Sequence, residues 1–185
     1  MNPQPPARYS TVSITLHWLM FLLIVAVYAT IELRELFPKG SDPRILLKTW
    51  HFMLGLSVLA LVGLRIAVRF TRSTPPIIPP PAAWQQKLAT LGHLALYALM
   101  LGMPLMGWVI LSAEGKDIPF FGLTLPSLVG VNEALAHDVE EIHEAVGEAG
   151  YWLIGLHAAA GLFHHYLLKD NTLLRMLPGH AERRA

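Results

Sequence analysis

The chain contains no cysteine. That excludes disulfides, thiolate zinc sites, cysteine-held iron–sulfur clusters, a catalytic thiol and covalent c-type haem attachment. Charge is also scarce, at 15% of the 185 residues, where a soluble domain carries roughly 25%. A net charge of +1 offers no basic surface for nucleic acid, and no nucleic-acid partner is expected. There is no internal repeat, no separate soluble domain, no G-x-G-x-x-G, no phosphate loop and no arguable nucleophile–base pair. No cleavable signal is evident, because Met1–Val12 is short and polar and the apolar run after it is long enough to span a bilayer.

What remains is apolar. Hydrophobic residues make up 54% of the chain, and mean hydropathy is +0.45. Residues 12–31, 49–68, 88–113 and 145–168 each meet the length of about 20 mostly apolar residues that a spanning helix needs. They predict an all-α integral membrane protein, a four-helix bundle forming a single domain over residues 1–185. Pro104 is expected to kink the third span. Thr74–Pro81, TPPIIPPP, reads as a stiff non-helical connector. Trp18, Trp50, Trp108 and Trp152 lie near span ends, where amphipathic rings favour the lipid–water interface.

Four spans put both termini on one side. That side holds Arg8, Arg65, Arg69, Arg72, Lys87, Lys169, Arg175, Arg183 and Arg184, against Arg34, Lys39, Arg44, Lys48 and Lys116 opposite. The bias places both termini in the cytoplasm by the positive-inside rule.

Nine histidines are the oddity in so apolar a chain. Imidazole is costly in hydrocarbon unless something satisfies it. His143 and His157 share one face of the fourth span, about 21 Å apart at 1.5 Å rise per residue. Positions between them on that face are mostly glycine, Gly147 and Gly150, which suits close helix packing or a flat macrocycle equally. His51 lies level with His143 near the outer end. His17, His93 and His164 are all inner candidates to face His157 or one another. Two stacked sites, each ligated by two imidazoles, suit haem iron. Arg65 and Arg69 fall on the His51 face of the second span, placed either to pair with the propionates of an inner haem or to snorkel to headgroups. Glu140-x-x-His143 resembles half of a carboxylate-bridged di-metal site, but there is no second Glu-x-x-His.

The stretches SITLHWLMFLLIVAVY, TPPIIPPP, FGLTLP and GYWLIGLHAAAGLFHHYLLKDNTLLRMLP, with the four-span layout, resemble the bacterial four-helix di-haem cytochrome b561 family. The resemblance is especially to its free-standing superoxide:ubiquinone oxidoreductases, and Gly150–Pro178 is its most specific part. It implies two haem b groups, with His17 and His157 holding the inner iron and His51 and His143 the outer. His93 then becomes a packing or propionate-side residue, and His165 has no assigned role. It also implies a ubiquinone site near the cytoplasmic end, for which the HHY element nominates His164, with the Thr15 hydroxyl as a partner. Periplasmic superoxide would give up its electron at the outer end, steered by outer cations of which Arg34 and Lys48 are closest to the span ends. The short tails and modest outer loops suit a free-standing protein with no obligatory protein partner. Two other readings compete. One is a cytochrome b subunit passing electrons from a dehydrogenase or hydrogenase to quinone. The other is a histidine-lined proton or metal transporter, though the repeated halves and broken spans common in transporters are absent.

Overall fold

The structure is a computed structural model describing residues 8–179. Arg183 and Arg184, counted above for orientation, lie outside the described residues. Four long helices follow in chain order, α1 Thr11–Leu33, α2 Asp42–Thr71, α3 Ala83–Ala113 and α4 Glu133–Phe163. Each start carries a local signal, and at α1 and α4 a side chain caps a free N–H group. Ser10 Oγ accepts from Ser13 N before α1, and Asn132 Oδ1 accepts from Leu135 N before α4. In α2, a proline in the first turn and the acid Asp42 suit the missing donor and the helix dipole. Gln85 Oε1 accepts from Ala82 N at the start of α3.

Three of these, α1 with its following turn, α2 and α3, are long and apolar enough to cross a membrane. α4 is as long as α3, but its first half carries Glu133, Glu140, Glu141, Glu144 and Glu148. The apolar run expected at 145–168 is therefore only the second half of a longer element. Its last residues leave the α-helix for a π-turn, His164–Leu168.

α3 runs unbroken through Pro104, so the expected kink does not divide it. The all-α expectation meets one exception, an antiparallel hairpin of β1 Ile118–Phe120 and β2 Leu123–Leu125. Its turn sets Phe121 at φ 47° and Gly122 at φ 86°, the two left-handed positions of a tight hairpin. Residues 72–82 are non-helical, as the prolines dictate.

α1 packs on α2, α2 on α3 and α3 on α4, while among the described residues α4 makes no close backbone approach to α1 or α2. One apolar core, Met20, Val58, Val62 and Met100, joins the first three helices. A second, Leu56, Leu111 and Ile118, seats the hairpin on α2 and α3. The bundle is thus open on the flank between α4 and the α1–α2 pair. It has a hairpin end and a proline end. At the proline end the segment after α4 knits the chain together. Arg175, 6% exposed, donates to the Pro75 carbonyl, Asn171 Oδ1 accepts from Ile78 N at 2.8 Å, and Trp18 Nε1 donates to Met176 O at 2.7 Å.

Candidate haem sites

Two histidine pairs face each other across the open flank. Toward the hairpin end the His51 and His143 rings stand with centroids 6.3 Å apart and planes at 76°. Toward the proline end the His17 and His157 rings are 6.2 Å apart at 67°. Two imidazoles on opposite sides of one metal ion set their centroids about 6 Å apart, given metal–nitrogen bonds of about 2 Å and the radius of each ring. His93 also reaches the proline-end pair, edge-on to His157 at 5.5 Å, so three histidines gather there. The charge of Arg65 reaches His17, His93 and His157, and that of Arg69 reaches His93. Neither arginine forms a salt bridge among the described residues.

A hydrogen-bonded packing histidine would have both ring nitrogens occupied or wet. His17 Nδ1 and His143 Nδ1 are buried with no hydrogen-bond partner. His51 is held differently. Its Nδ1 lies 3.1 Å from the Val27 carbonyl, which calls for Nδ1–H and leaves Nε2 as a free lone pair, the tautomer a metal ligand needs.

The hairpin-end pair opens on a cavity of about 410 Å³ lined by all four helices, a size typical of ligand pockets. Glycines clear part of it. Gly55 has open space beside it, and the nearest atom to a side chain built at Gly107 would be His143 Cε1, at 3.7 Å. The glycines on the His143–His157 face act otherwise. A Cβ on Gly147 would meet Met103, and one on Gly150 would collide with the Tyr28 hydroxyl. That hydroxyl donates to Gly147 O at 2.8 Å. These two glycines admit side chains from α1 and α3, and the clearance for a macrocycle lies elsewhere.

The rim of this cavity carries Arg34 and Lys48, together with Glu32, Glu35, Glu114, Glu140, Glu144 and Glu148. Arg34 and Arg44 both bind Glu35, at 2.9 and 2.8 Å. Lys48 has no carboxylate partner among the described residues and sits 5.7 Å from the Phe52 ring. Among the described residues no group of three or more histidine, aspartate or glutamate side chains is arranged to hold one metal ion between them.

At the proline end His164 stands in the π-turn, its Nδ1 2.6 Å from Asp170 Oδ2. Thr15 is exposed on α1. Asp170, 5% exposed, was not singled out in the sequence. It lies six residues past His164 with a chain reversal between them, and no helical spacing connects the two.

A family model described as prokaryotic cytochrome b561 matches residues 8–179. The chain belongs to that family. It is 42% identical over 171 residues to cytochrome b561 homolog 1 of Escherichia coli (strain K12), covering 92% of this chain and 97% of that relative. Probable superoxide oxidase CybB of Yersinia pestis is 40% identical over 171 residues, covering 92% and 96%. Cytochrome b562 of Cereibacter sphaeroides is 29% identical over 173 residues, covering 91% and 94%. As a cytochrome b561 the chain is a transmembrane electron-transfer protein of the oxidoreductase class, from a family that binds b-type haem. Its residues fit that group, since both pairs of facing imidazoles stand at the spacing of a shared ion and the hairpin-end pair lines a cavity open between the helices.

Proposed function

We propose that this cytochrome b561 holds two b-type haems, on His51 with His143 and on His17 with His157, and oxidises superoxide while reducing ubiquinone. The observation that carries the reading is the pair of facing histidine pairs at two levels of one bundle. The 40% identity to a probable superoxide oxidase supports the choice of substrate. In this reading α4 is the fourth span, both termini face the cytoplasm of a bacterial inner membrane, and the hairpin end faces the periplasm. No protein partner is required.

The haems supply one-electron redox chemistry between the two ends. The chain's own residues do the rest. The Val27 carbonyl fixes the His51 tautomer. Arg65 and Arg69 would pair with the propionates of a haem held at the proline-end pair. Superoxide arrives at the hairpin-end cavity and leaves as dioxygen. Two such one-electron oxidations, with two protons, convert one ubiquinone to quinol near His164, with the Thr15 hydroxyl as a second contact.

Mixing superoxide with the quinone-loaded holoprotein in a stopped-flow spectrometer tests the reading. Reduction of b-type haem within the mixing transient, followed by reoxidation as quinol forms, is the expected result. Haem that stays oxidised under superoxide rejects it.

The acid-rich rim alters what steering can do. Arg34 is shared with Glu35, so Lys48 is the cation left to attract a small anion. A unit charge about 4 Å away in water is worth about 1 kcal/mol, close to fivefold in rate. Lys48→Gln is therefore expected to slow superoxide-driven haem reduction about three- to fivefold. The variant rate should then rise with ionic strength, as salt screens the remaining glutamates. An unchanged rate and salt slope removes Lys48 from the entry path.

The same rim favours a second reading, in which a cationic partner subunit rather than a small anion delivers electrons. Co-purification of a stoichiometric redox subunit in mild detergent would establish it.

A further inference from the structure

Between α3 and α4 the chain carries no charge from Ile118 to Val131, where Thr124 and Ser127 are the only polar side chains. This run holds the β1–β2 hairpin and is flanked by Lys116, Asp117 and Glu133. A hairpin with one face in water alternates apolar with polar residues. This one is apolar on both faces. Inward, Ile118 is 1% exposed, packs with Leu56 and Leu111, and lines the cavity with His51 and His143. Phe120 and Leu125 pack around the same cluster. Outward, Phe121 and Leu123 are 55% and 64% exposed, and Val131, on the way to α4, is 74% exposed.

The turn points the same way. Phe120 pairs with Leu123, so Phe121 and Gly122 are the turn residues, both at positive φ. Asparagine, aspartate and glycine adopt that conformation with least strain, and a solvated turn favours them. Phenylalanine is a strained choice there. Its ring meets Trp50 on one side, centroids 6.1 Å apart, and is open on the other.

Two tryptophans set the depth. Trp50 meets the turn, and Trp108 Nε1 donates to Pro126 O at 2.9 Å, just past β2. Tryptophans at span ends mark the lipid–water interface. The hydrocarbon core is excluded, because a two-stranded hairpin leaves backbone groups unpaired along its outer edges, and lipid tails cannot satisfy them. Phe121 N, for its part, donates to the Met53 thioether at 3.4 Å, a weak acceptor. The exposed face continues through Trp50 onto the apolar side of α2, where Ile45 and Leu46 are also exposed. That helix is long and apolar enough to cross the membrane, so the surface the hairpin extends is one that meets lipid.

We propose that the hairpin is an interfacial lipid anchor, with Phe121 and Leu123 seated at the headgroup–acyl boundary, and that this seating holds Ile118 as a fixed wall of the hairpin-end cavity. The lipid seating needs only that the bundle crosses a membrane. The wall role rests on the reading above, in which His51 and His143 hold a haem.

The absence of cysteine makes the test clean, since a single introduced cysteine carries a nitroxide without background. Holoprotein in lipid nanodiscs, both faces open to buffer, is labelled in turn at Leu123→Cys, at Leu22→Cys midway along α1, and at Lys39→Cys in the turn before α2. Power saturation then reads collisions with oxygen, which concentrates in lipid, and with a neutral nickel chelate, which stays in water. Leu123→Cys is expected to give an oxygen-to-chelate ratio several-fold above Lys39→Cys and below Leu22→Cys. A ratio equal to that of Lys39→Cys puts the tip in water and overturns the proposal, and one equal to that of Leu22→Cys overturns the interfacial depth. Few collisions with either reagent mean that protein, such as a second copy, covers the face, which also overturns it. Phe121→Asn suits the turn and removes the anchoring ring, so the fold persists. It should lower the ratio at Leu123→Cys and speed transfer of haem from the hairpin-end pair to a scavenger, with the proline-end signal unchanged. An unchanged ratio overturns the anchor. A lowered ratio with unchanged haem transfer overturns the wall role alone, and holoprotein with no haem at the hairpin-end pair overturns the reading beneath that role while the ratios still decide the anchor.

Discussion

Replacing His51 with alanine is expected to abolish one of two b-type haem signals and leave the other intact, with superoxide-driven quinone reduction falling more than about 100-fold. Partners that only orient a ligand are worth about 10–100-fold, and His51 would be the ligand itself. The two levels are separable because they share no side chain. His51 and His143 face each other at 6.3 Å and His17 and His157 at 6.2 Å, while His143 and His157 are about 21 Å apart along α4. His157→Ala should remove the other signal, so that superoxide still reduces the remaining haem but ubiquinone no longer reoxidises it. His93→Ala is the control. It packs on His157 at 5.5 Å and should leave both signals, with a shifted spectrum at one. Haem content and reduced-minus-oxidised spectra of the three purified variants decide the matter. Loss of both haems from His51→Ala would mean that the levels fold as one unit, and loss of one from His93→Ala would move the ligand to α3.

Much of this was legible from the chain because a membrane leaves few options. A run that must satisfy its own backbone becomes a helix, and the runs at 12–31, 49–68, 88–113 and 145–168 all fall within helices or the final π-turn. Helix rise and phase put the histidines at two depths, whereas the pairing of His17 with His157 came only with the family resemblance. What escaped depends on chain reversals and on helix length. The hairpin turns on Phe121 at positive φ, a conformation no apolar pattern announces. α4 begins at Glu133, twelve residues ahead of its apolar run, and those extra turns bring Glu140 and Glu144 to the cavity rim. The outer loops already interleave their cations with Glu32, Glu35, Asp42, Glu114 and Asp117, and the folded rim adds the acids of α4 to them. Asp170 was hidden for the same reason, since only the reversal after Leu168 carries it back under His164.

Alanine at Gly150 is expected to unsettle both haem levels at once, which separates it from every histidine variant. The methyl group would collide with the Tyr28 hydroxyl and stand 3.4 Å from both Leu99 methyls. Tyr28 has little freedom to retreat. Its hydroxyl donates to Gly147 O at 2.8 Å and its ring lies 4.3 Å from Tyr151, which donates to Glu32 at 2.6 Å. This clasp ties α1 to α4 where their backbones do not otherwise approach closely. α1 supplies His17 and, through Val27 O, the orientation of His51; α4 supplies His143 and His157. Overpacking a fitted site costs about 1–3 kcal/mol, and the displaced hydroxyl forfeits about 1 kcal/mol more. Gly150→Ala should therefore lower the melting temperature in detergent and speed haem loss from both levels together. Tyr28→Phe alone should cost about 1 kcal/mol, the worth of its hydrogen bond. The double variant removes the colliding atom, so its stability should exceed that of Gly150→Ala, a coupling of about 1–2 kcal/mol between touching residues. Strictly additive losses would show that the clasp does not hold α4 in place.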